Sequence, residues 1–428
     1  MTRHGEPRSP EARLERIAKE GLCIGCGLCQ SVAGPERVRV VRTTTGDQRP
    51  VAVGPLDHAT VDRIYDVCPG IRVEGLPAAE IDEATPVDSV WGPVRRVVLA
   101  WAADPEVRFR GATGGVLTAL GQFLVRSGRV DFVLHAKASN DPPTFGERTL
   151  SFTEAGVLEG AGSRYGPTPP LIDVREVLDR GRPFAFVGKP CDIAGLRNWA
   201  RHDPRVDRLV RYWLTPVCGG YMPPDGTADF LARQGIAEHE VRGFRYRGHG
   251  CPGPTRIETT DGRVIERRYT DFWGEDYRAW TLPFRCKICP DGIGEAADLA
   301  AADTWPGGAP DPSSEDLDPG TNGVIARTAR GVELLDAAES AGFIRIGEEV
   351  GTAALDDWQP HQVWKKRVVW ARLAGLCAAG SLGIDTARLR IAALARERSV
   401  RENLLQARGT RERVRSGRAG EPAPVPAS

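Results

Sequence analysis

Cys23, Cys26 and Cys29 form a C-x2-C-x2-C triplet inside "GLCIGCGLCQ", residues 21–30. Structural zinc usually takes two C-x2-C knuckles from separate parts of a chain, so three thiols in one tight loop fit zinc less well than three corners of an iron–sulfur cube. Gly25 and Gly27 let backbone NH groups come close to the sulfurs. The fourth corner is assigned to Cys68, because "VCPG" holds the one Cys-Pro of the N-terminal region and a proline after the ligand stiffens its turn. The expectation is one [4Fe-4S] cluster on Cys23, Cys26, Cys29 and Cys68, with a four-cysteine zinc site as the alternative. "CQSVAG" follows the triplet without a further cysteine, so the two-cluster ferredoxin run is not met.

Six cysteines remain of the ten. Cys286 and Cys289 in "RCKICPDG" are half of a metal or dithiol site and need two partners. Cys191 in "GKPCDIAGLR" and Cys218 in "TPVCGGY" each follow a predicted strand, at the sheet edge where ligands gather in open α/β folds. Cys251 in "GHGCPG" follows a glycine-rich turn and is a further candidate. Cys377 lies among Ala and Leu and reads as a small core residue.

The charged start, "MTRHGEPRSPEARLERIAKE", has no apolar h-region, so no secretory signal is read and a reducing cytoplasm is expected, where cysteines serve metal or redox chemistry. Lys plus Arg equals Asp plus Glu at 57 each, which gives no reason to expect nucleic acid as a partner. No apolar run is long enough to span a membrane; the nearest, 368–384, carries Arg372 and several glycines. The seven histidines show no metal spacing and no Ser/His/Asp set stands out, so hydrolysis is unsupported and no catalytic acid is named.

These residues must be positioned by elements that the patterning suggests. Residues 1–85 read as a small ferredoxin-like iron–sulfur unit, closed by the Pro- and acid-rich linker "GLPAAEIDEATPVD". From about residue 90 the chain alternates β-prone runs (95–102, 130–136, 183–188, 209–217) with helical ones (115–126, 192–200), which predicts a larger α/β domain over 90–385 with an at least partly parallel sheet. The tail, 386–428, holds ten arginines against three glutamates between Thr386 and Arg418. Leu389, Ala393, Val400 and Leu404 have spacings that one helix face can hold, so an exposed amphipathic helix is expected there, with the rest frayed. In "RGATGGVLTAL", a strand ending near Ala102 leads through Arg110 and Gly111–Gly115 to a helix starting near Val116, with Thr113 as a cap or hydroxyl donor; taken alone it is a Gly-rich turn.

"GATGGVLTALGQFLVRSGRVDFVLHA", "GKPCDIAGLR", "VCGGYMPPDGTADFL", "FRYRGHGCPG" and "RCKICPDGIGEAADLAAADTWPGG", in this order, resemble the coenzyme F420 hydrogenase/dehydrogenase beta-subunit family over roughly residues 90–345. The N-terminal cysteine unit is similar to that of longer members, among them tetrapyrrole reductases. The resemblance implies FAD and a [4Fe-4S] cluster in the main domain, the latter on Cys191, Cys218, Cys286 and Cys289, with Cys251 a spare that could replace one of them. It implies a flavin site at Arg110, Gly111, Thr113, Gly114 and Gly115, where a helix N-terminus offers free NH groups. For "GSRYGPTPP" the resemblance implies Arg164 as the cation for a phosphate and Tyr165 as the stacking ring, with a surface loop as the alternative. Lys189, in "GKPC", departs from the less charged residue expected in many members, and its cation would raise the potential of an adjacent cluster or meet an anionic substrate. Asp298 and Asp303 in "ADLAAADTW" read as a structural cap after the cluster loop, with lining of the flavin cleft as the alternative.

A hydride donor delivers two electrons and a cluster takes one, so a flavin between them makes chemical sense. The implied protein is an FAD and iron–sulfur oxidoreductase with two [4Fe-4S] clusters. Reduced coenzyme F420 gives it a hydride and a redox protein accepts single electrons, or ferredoxin feeds the clusters and the flavin reduces a small conjugated substrate. In a third reading it is an electron-transfer subunit without its own substrate. A homo-oligomeric state is compatible with all three.

Overall fold

The computed structural model describes residues 9–274, 276, 279–311 and 318–427. Its centre is an eight-stranded mixed sheet of β1 (Arg96–Ala102), β2 (Phe132–Ala138), β3 (Gly146–Ser151), β4 (Phe184–Val187), β5 (Val210–Pro216), β6 (Leu299–Asp303), β7 (Asn322–Ala326) and β8 (Ile344–Glu349), ordered β8-β1-β7-β6-β5-β4-β2-β3. β2, β4, β5 and β6 are mutually parallel; β7 is antiparallel to both β6 and β1, which gives β1 the same direction. The sheet is thus the mixed α/β one expected, and the four β-prone runs are β1, β2, β4 and β5. β4 and β5 are almost wholly apolar because central strands with both faces covered have no solvent side to alternate toward. β8, at one edge, exposes Arg345, Gly347, Glu348 and Glu349 in part or in full, which protects it from adding a further strand.

Helices Val116–Arg126 and Ala329–Ser340 cover one face, burying Leu120, Phe123, Leu334 and Leu335 against Val98, Ala100 and Leu214. The other face packs Phe184, Phe186 and Trp213 against helix Pro190–Trp199 and, in the same continuous core, against Leu14, Ile17 and Val67 of the N-terminal unit and Val369 and Leu376 of helix Pro360–Ala378. The first 85 residues form a helix at Pro10–Lys19, a hairpin of Val38–Arg42 with Gln48–Ala52, and a helix at His58–Val67. Strand Arg72–Glu74 of this unit pairs in parallel with Asp385–Ala387, so the core crosses the linker and the chain's end is stitched to its beginning. A three-stranded antiparallel sheet (Val241–Arg245, Thr255–Thr259, Val264–Arg267) carries an aromatic cluster of Phe230, Phe244, Tyr246, Phe272 and Trp273.

Two expectations for the C-terminal third need correction. Cys377 is exposed rather than in the core, because it lies on the solvent side of helix Pro360–Ala378. The tail is not one amphipathic helix with a frayed end: Arg388 and Arg390 adopt positive φ and divide it, so Leu389 is buried while Val400 and Leu404 are 76% and 64% exposed. Helix Val400–Arg415 packs so closely along Pro360–Ala378 that a Cβ on Gly375 would run into the Ala407 carbonyl oxygen. Beyond it the backbone is ordered by hydrogen bonds to the N-terminal hairpin, Thr44 N to Val425 O at 3.0 Å and Ala427 N to Arg42 O at 2.8 Å. Among the described residues no helix is long and apolar enough to cross a membrane.

Candidate functional site

The triplet loop works because Gly25 and Gly27 take φ of +68° and +88°. A Cβ at either would also run into the Gln48 carbonyl oxygen at 2.7 Å or the Ile172 nitrogen at 2.6 Å. Cys68 ends helix His58–Val67, and Pro69 turns the chain away. Cys23, Cys26, Cys29 and Cys68 line one small cavity with Leu14, Ile17, Val40, Pro50, Val67 and Pro69. Burial pushes all four thiols up, Cys68 to about 12, and for Cys26, Cys29 and Cys68 the neighbouring thiols add to the effect. A dry pocket of four thiols that oppose one another's ionisation suits a polynuclear cation that would draw the protons off.

The second set comes from three places. Cys191 lies in the first turn of Pro190–Trp199 after β4, Cys218 follows β5, and Cys286 and Cys289 belong to the turn at Phe284–Lys287. They are mutual neighbours: burial raises Cys191, Cys218 and Cys286, with Cys218 and Cys289 acting on Cys191, Cys286 and Cys289 on Cys218, and Cys289 on Cys286. Among the described residues no three His, Cys, Asp or Glu side chains converge tightly enough for a single metal ion. The thiols of the N-terminal set surround a small cavity, as the corners of a cluster must, and in the second set Cys218 also lines the cleft described below. Cys251 is in neither set; it is buried beside Arg247, Asp303 and Asp318.

One helix, Pro360–Ala378, ties the second set together. Gln362 Nε2 donates to the Cys218 carbonyl at 2.6 Å, and Lys366 Nζ donates to the Pro290 carbonyl at 3.0 Å while pairing with the fully buried Glu295. Lys365 favours the thiolates of Cys218 and Cys286. Arg285, only 2% exposed, donates to the Pro69 and Gly70 carbonyls at 2.7 and 2.9 Å and so joins the Cys286 turn to the Cys68 turn. Asp192 acts on both Cys26 and Cys191. The two sets therefore sit back to back.

The loops after β1, β4, β5 and β6 meet in a cleft of ≈ 290 Å³ at the carboxyl edge of the parallel strands. Gly111, Thr113 and Gly115 line it, as do Arg164, Tyr165, Lys189 and Cys218. Arg110 and Gly114 do not: Arg110 pairs with Glu106 at 3.5 Å, and Gly114 is pressed against Asn322 and the Ala100 carbonyl. Helix Val116–Arg126 begins where expected, with Gly115 at φ +71°, and the Asn322 side chain accepts from the Val116 nitrogen at 3.3 Å. Arg164 spends Nη1 on the Phe244 carbonyl at 2.8 Å. Burial works against the Lys189 cation, but Asp192 at 2.7 Å and the Cys191 thiol hold its pKa above the ordinary range.

Residues that sequence patterning did not single out close the cleft. Arg247, 2% exposed, donates to Asp303 at 2.9 Å, to Thr113 Oγ1 at 3.0 Å and to the Ala112 carbonyl at 2.6 Å, and lies 4.6 Å over the Trp305 ring. Thr113 donates its hydroxyl to Asp303 and does not cap the helix. Asp303 thus belongs to the cleft, while Asp298 is structural, accepting from the Trp213 nitrogen at 2.9 Å and the Thr328 hydroxyl at 2.6 Å. Trp273 meets Tyr165 edge-on at 4.9 Å and Trp280 at 5.2 Å, forming an aromatic wall. The arrangement offers a glycine-rich, cation-bearing side for phosphates and an aromatic side for a flat ring, with Cys218 of the second set in its wall.

Two family profiles of the coenzyme F420 hydrogenase/dehydrogenase beta subunit match the chain, the N-terminal one over residues 97–174 and the C-terminal one over residues 181–351. The chain is 23% identical over 354 residues to a coenzyme F420-dependent sulfite reductase of Methanocaldococcus jannaschii, covering 79% of this chain and 49% of the relative. It is 27% identical over 258 residues to the beta subunit of an F420-dependent formate dehydrogenase 1 of Methanococcus maripaludis, covering 57% of this chain and 59% of the relative. The chain thus spans only about half the length of these relatives. A chain of the F420-reducing [NiFe] hydrogenase complex from Methanosarcina barkeri shares the fold, with a TM-score of 0.51 at 19% identity, covering 66% of this chain and 93% of that one.

Proposed function

This chain belongs to the coenzyme F420 hydrogenase/dehydrogenase beta-subunit family, and from that premise we propose that it is an F420-linked iron–sulfur flavoprotein with FAD in the cleft and two [4Fe-4S] clusters, one on each cysteine set. The observation that carries the reading is the sequence of sites: a glycine-rich cleft, the Cys191/Cys218/Cys286/Cys289 set that reaches it through Cys218, and the Cys23/Cys26/Cys29/Cys68 set joined to the second by Arg285. When bound, the flavin would exchange a hydride with F420 and single electrons with the clusters.

The chain's own residues have separable tasks. The Gly111–Val116 turn lets backbone NH groups approach a pyrophosphate, Lys189 supplies positive charge between cleft and cysteines, and Arg247 with Asp303 shapes the inner wall. Gln362 and Lys366 keep the Cys218 and Cys289 loops in register, and Arg285 fixes the approach of the two sets. A one-electron redox protein is the proposed partner, supported by relatives named as a subunit and as a complex. The aromatic wall of Tyr165, Trp273 and Trp280 favours a second reading, in which ferredoxin supplies electrons and the cleft reduces a conjugated small molecule.

Anaerobically purified protein is expected to hold about eight irons with matching sulfide and roughly one FAD per chain. Zinc in place of iron, or no flavin, would defeat the proposal. Bleaching of reduced F420 in the presence of a one-electron acceptor supports the first reading, and turnover of a conjugated acceptor with reduced ferredoxin alone supports the second. Cys23→Ser is expected to lose about half of the iron yet keep FAD and its reduction by reduced F420, while losing transfer to an external protein acceptor. Stopped-flow flavin bleaching checks this, and a variant that no longer reduces its flavin contradicts the order of the sites.

A further inference from the structure

Arg49 and Glu421 are 372 positions apart and form a two-pronged ion pair beside Gly25 of the N-terminal cysteine loop. Arg49 is 3% exposed; its Nε donates to Glu421 Oε2 at 2.6 Å and its Nη2 to Glu421 Oε1 at 2.8 Å. The same Nη2 also reaches Asp47 Oδ1 at 3.1 Å and the Tyr221 hydroxyl at 3.2 Å. Glu421 is carried by an ordered C-terminal strap. Its nitrogen donates to the Lys19 carbonyl at 3.0 Å, Thr43 bridges Pro426, and the Ala419 carbonyl presses on Gly21, leaving no room there for a Cβ. Gly21 is two residues from Cys23.

We infer that the C-terminal strap, residues 417–427, acts through the Glu421–Arg49 pair as a positioning element that sets the reduction potential of the N-terminal cysteine site, an inference that rests on the cluster reading above. Arg49 is the cation that reaches the triplet loop: its Nη1 lies 3.5 Å from where a Cβ on Gly25 would stand and donates to the Gln48 carbonyl at 2.9 Å, while Glu421 and Asp47 are the carboxylates paired with it. Its contact with the Tyr221 hydroxyl takes the same network to the segment after β5, three residues from Cys218. Reduction adds negative charge, so a nearby cation stabilises the reduced state and a nearby carboxylate opposes it, most strongly where water is excluded. The strap supplies the carboxylate that both anchors and partly neutralises Arg49. Loss or displacement of the strap would therefore change the centre's charge environment without touching a thiol.

The test is an EPR-monitored redox titration of the anaerobically purified full chain, with Cys23→Ser identifying the N-terminal signal. Glu421→Gln keeps an acceptor for Arg49 but removes its negative charge, and is expected to shift the reduction equilibrium about tenfold toward the reduced form, about 59 mV for one electron. Arg49→Leu is expected to shift it about as far in the opposite direction, and Arg49→Lys to restore most of the difference. Because Arg49→Leu leaves the half-buried Glu421 and Asp47 carboxylates without their cation, Glu421→Gln carries the test if that variant does not fold. An unmoved or lowered potential in Glu421→Gln at parental iron content overturns the inference. Equal iron in the parent and in Cys23→Ser overturns the cluster reading itself, and the tuning falls with it.

Discussion

Cys286→Ala should release about half of the bound iron and most of the flavin, whereas Cys23→Ser releases iron alone. The difference lies in what each thiol ties together. Cys23 shares a loop with Cys26 and Cys29, and that loop is already held by Gly25, Gly27 and the packing of Leu22 and Leu28. Cys286 belongs to a turn whose partners, Cys191 and Cys218, come from the ends of β4 and β5, and the segments carrying them, Val187–Lys189 and Pro216–Gly220, are walls of the cleft. Without the shared centre, burial and mutual repulsion of the remaining thiols no longer have a compensating cation, and the loops separate. Iron and flavin content, measured together with thermal unfolding, checks the prediction; a Cys286→Ala protein with full iron would remove Cys286 from the site.

Asp303→Asn is expected to destabilise the protein by about 3–5 kcal/mol, because it leaves the Arg247 guanidinium buried without a countercharge. At this chain length, with an unfolding entropy of about 2.1 cal/mol/K per residue, that corresponds to a fall in Tm of roughly 3–6 °C. Arg247 would retain Thr113 Oγ1 and the Ala112 carbonyl, which satisfy its protons but not its charge. Since those two acceptors are the turn that opens helix Val116–Arg126, flavin retention should fall with stability. Replacing both members, with Arg247→Met and Asp303→Leu, is expected to recover much of the Tm but not the flavin, because an apolar pair removes the buried charge without rebuilding the turn. Calorimetry and flavin content separate the two effects; an Asp303→Asn protein with unchanged Tm would mean that the pair is solvated.

Much of the fold was legible locally. "PFAFVG" and "LVRYWLTPV" could be read as β4 and β5 because a strand covered on both faces leaves a continuous apolar run, and "GVLTALGQFLV" as a helix from its spacing. The cysteine triplet was equally plain, since thiols three apart with glycines between them constrain chemistry within a single loop. Patterning placed Cys377 in the core because an Ala/Leu-rich run looks the same on either side of a helix, and which side faces water depends on what packs against it. Arg247, Gln362, Lys365 and Trp273 gave no signal, because their roles depend on segments brought together from far along the chain. The Pro/Ala-rich end looked frayed because its order comes from the hairpin at Arg42–Thr44 and from Arg49, not from any pattern of its own.

By itself, then, the sequence determined most of the elements, the sheet's class and the two closely spaced cysteine groups, Cys23/Cys26/Cys29 and Cys286/Cys289, since helix and strand periods and close cysteine spacing are short-range properties. Tertiary structure alone decided that the two thiol sets stand back to back, that Arg247 meets Asp303 in the cleft, and that Glu421 closes on Arg49. Those contacts join segments from 56 to 372 residues apart, and the two ion pairs gain their strength from water excluded around a buried arginine, which no local spacing records.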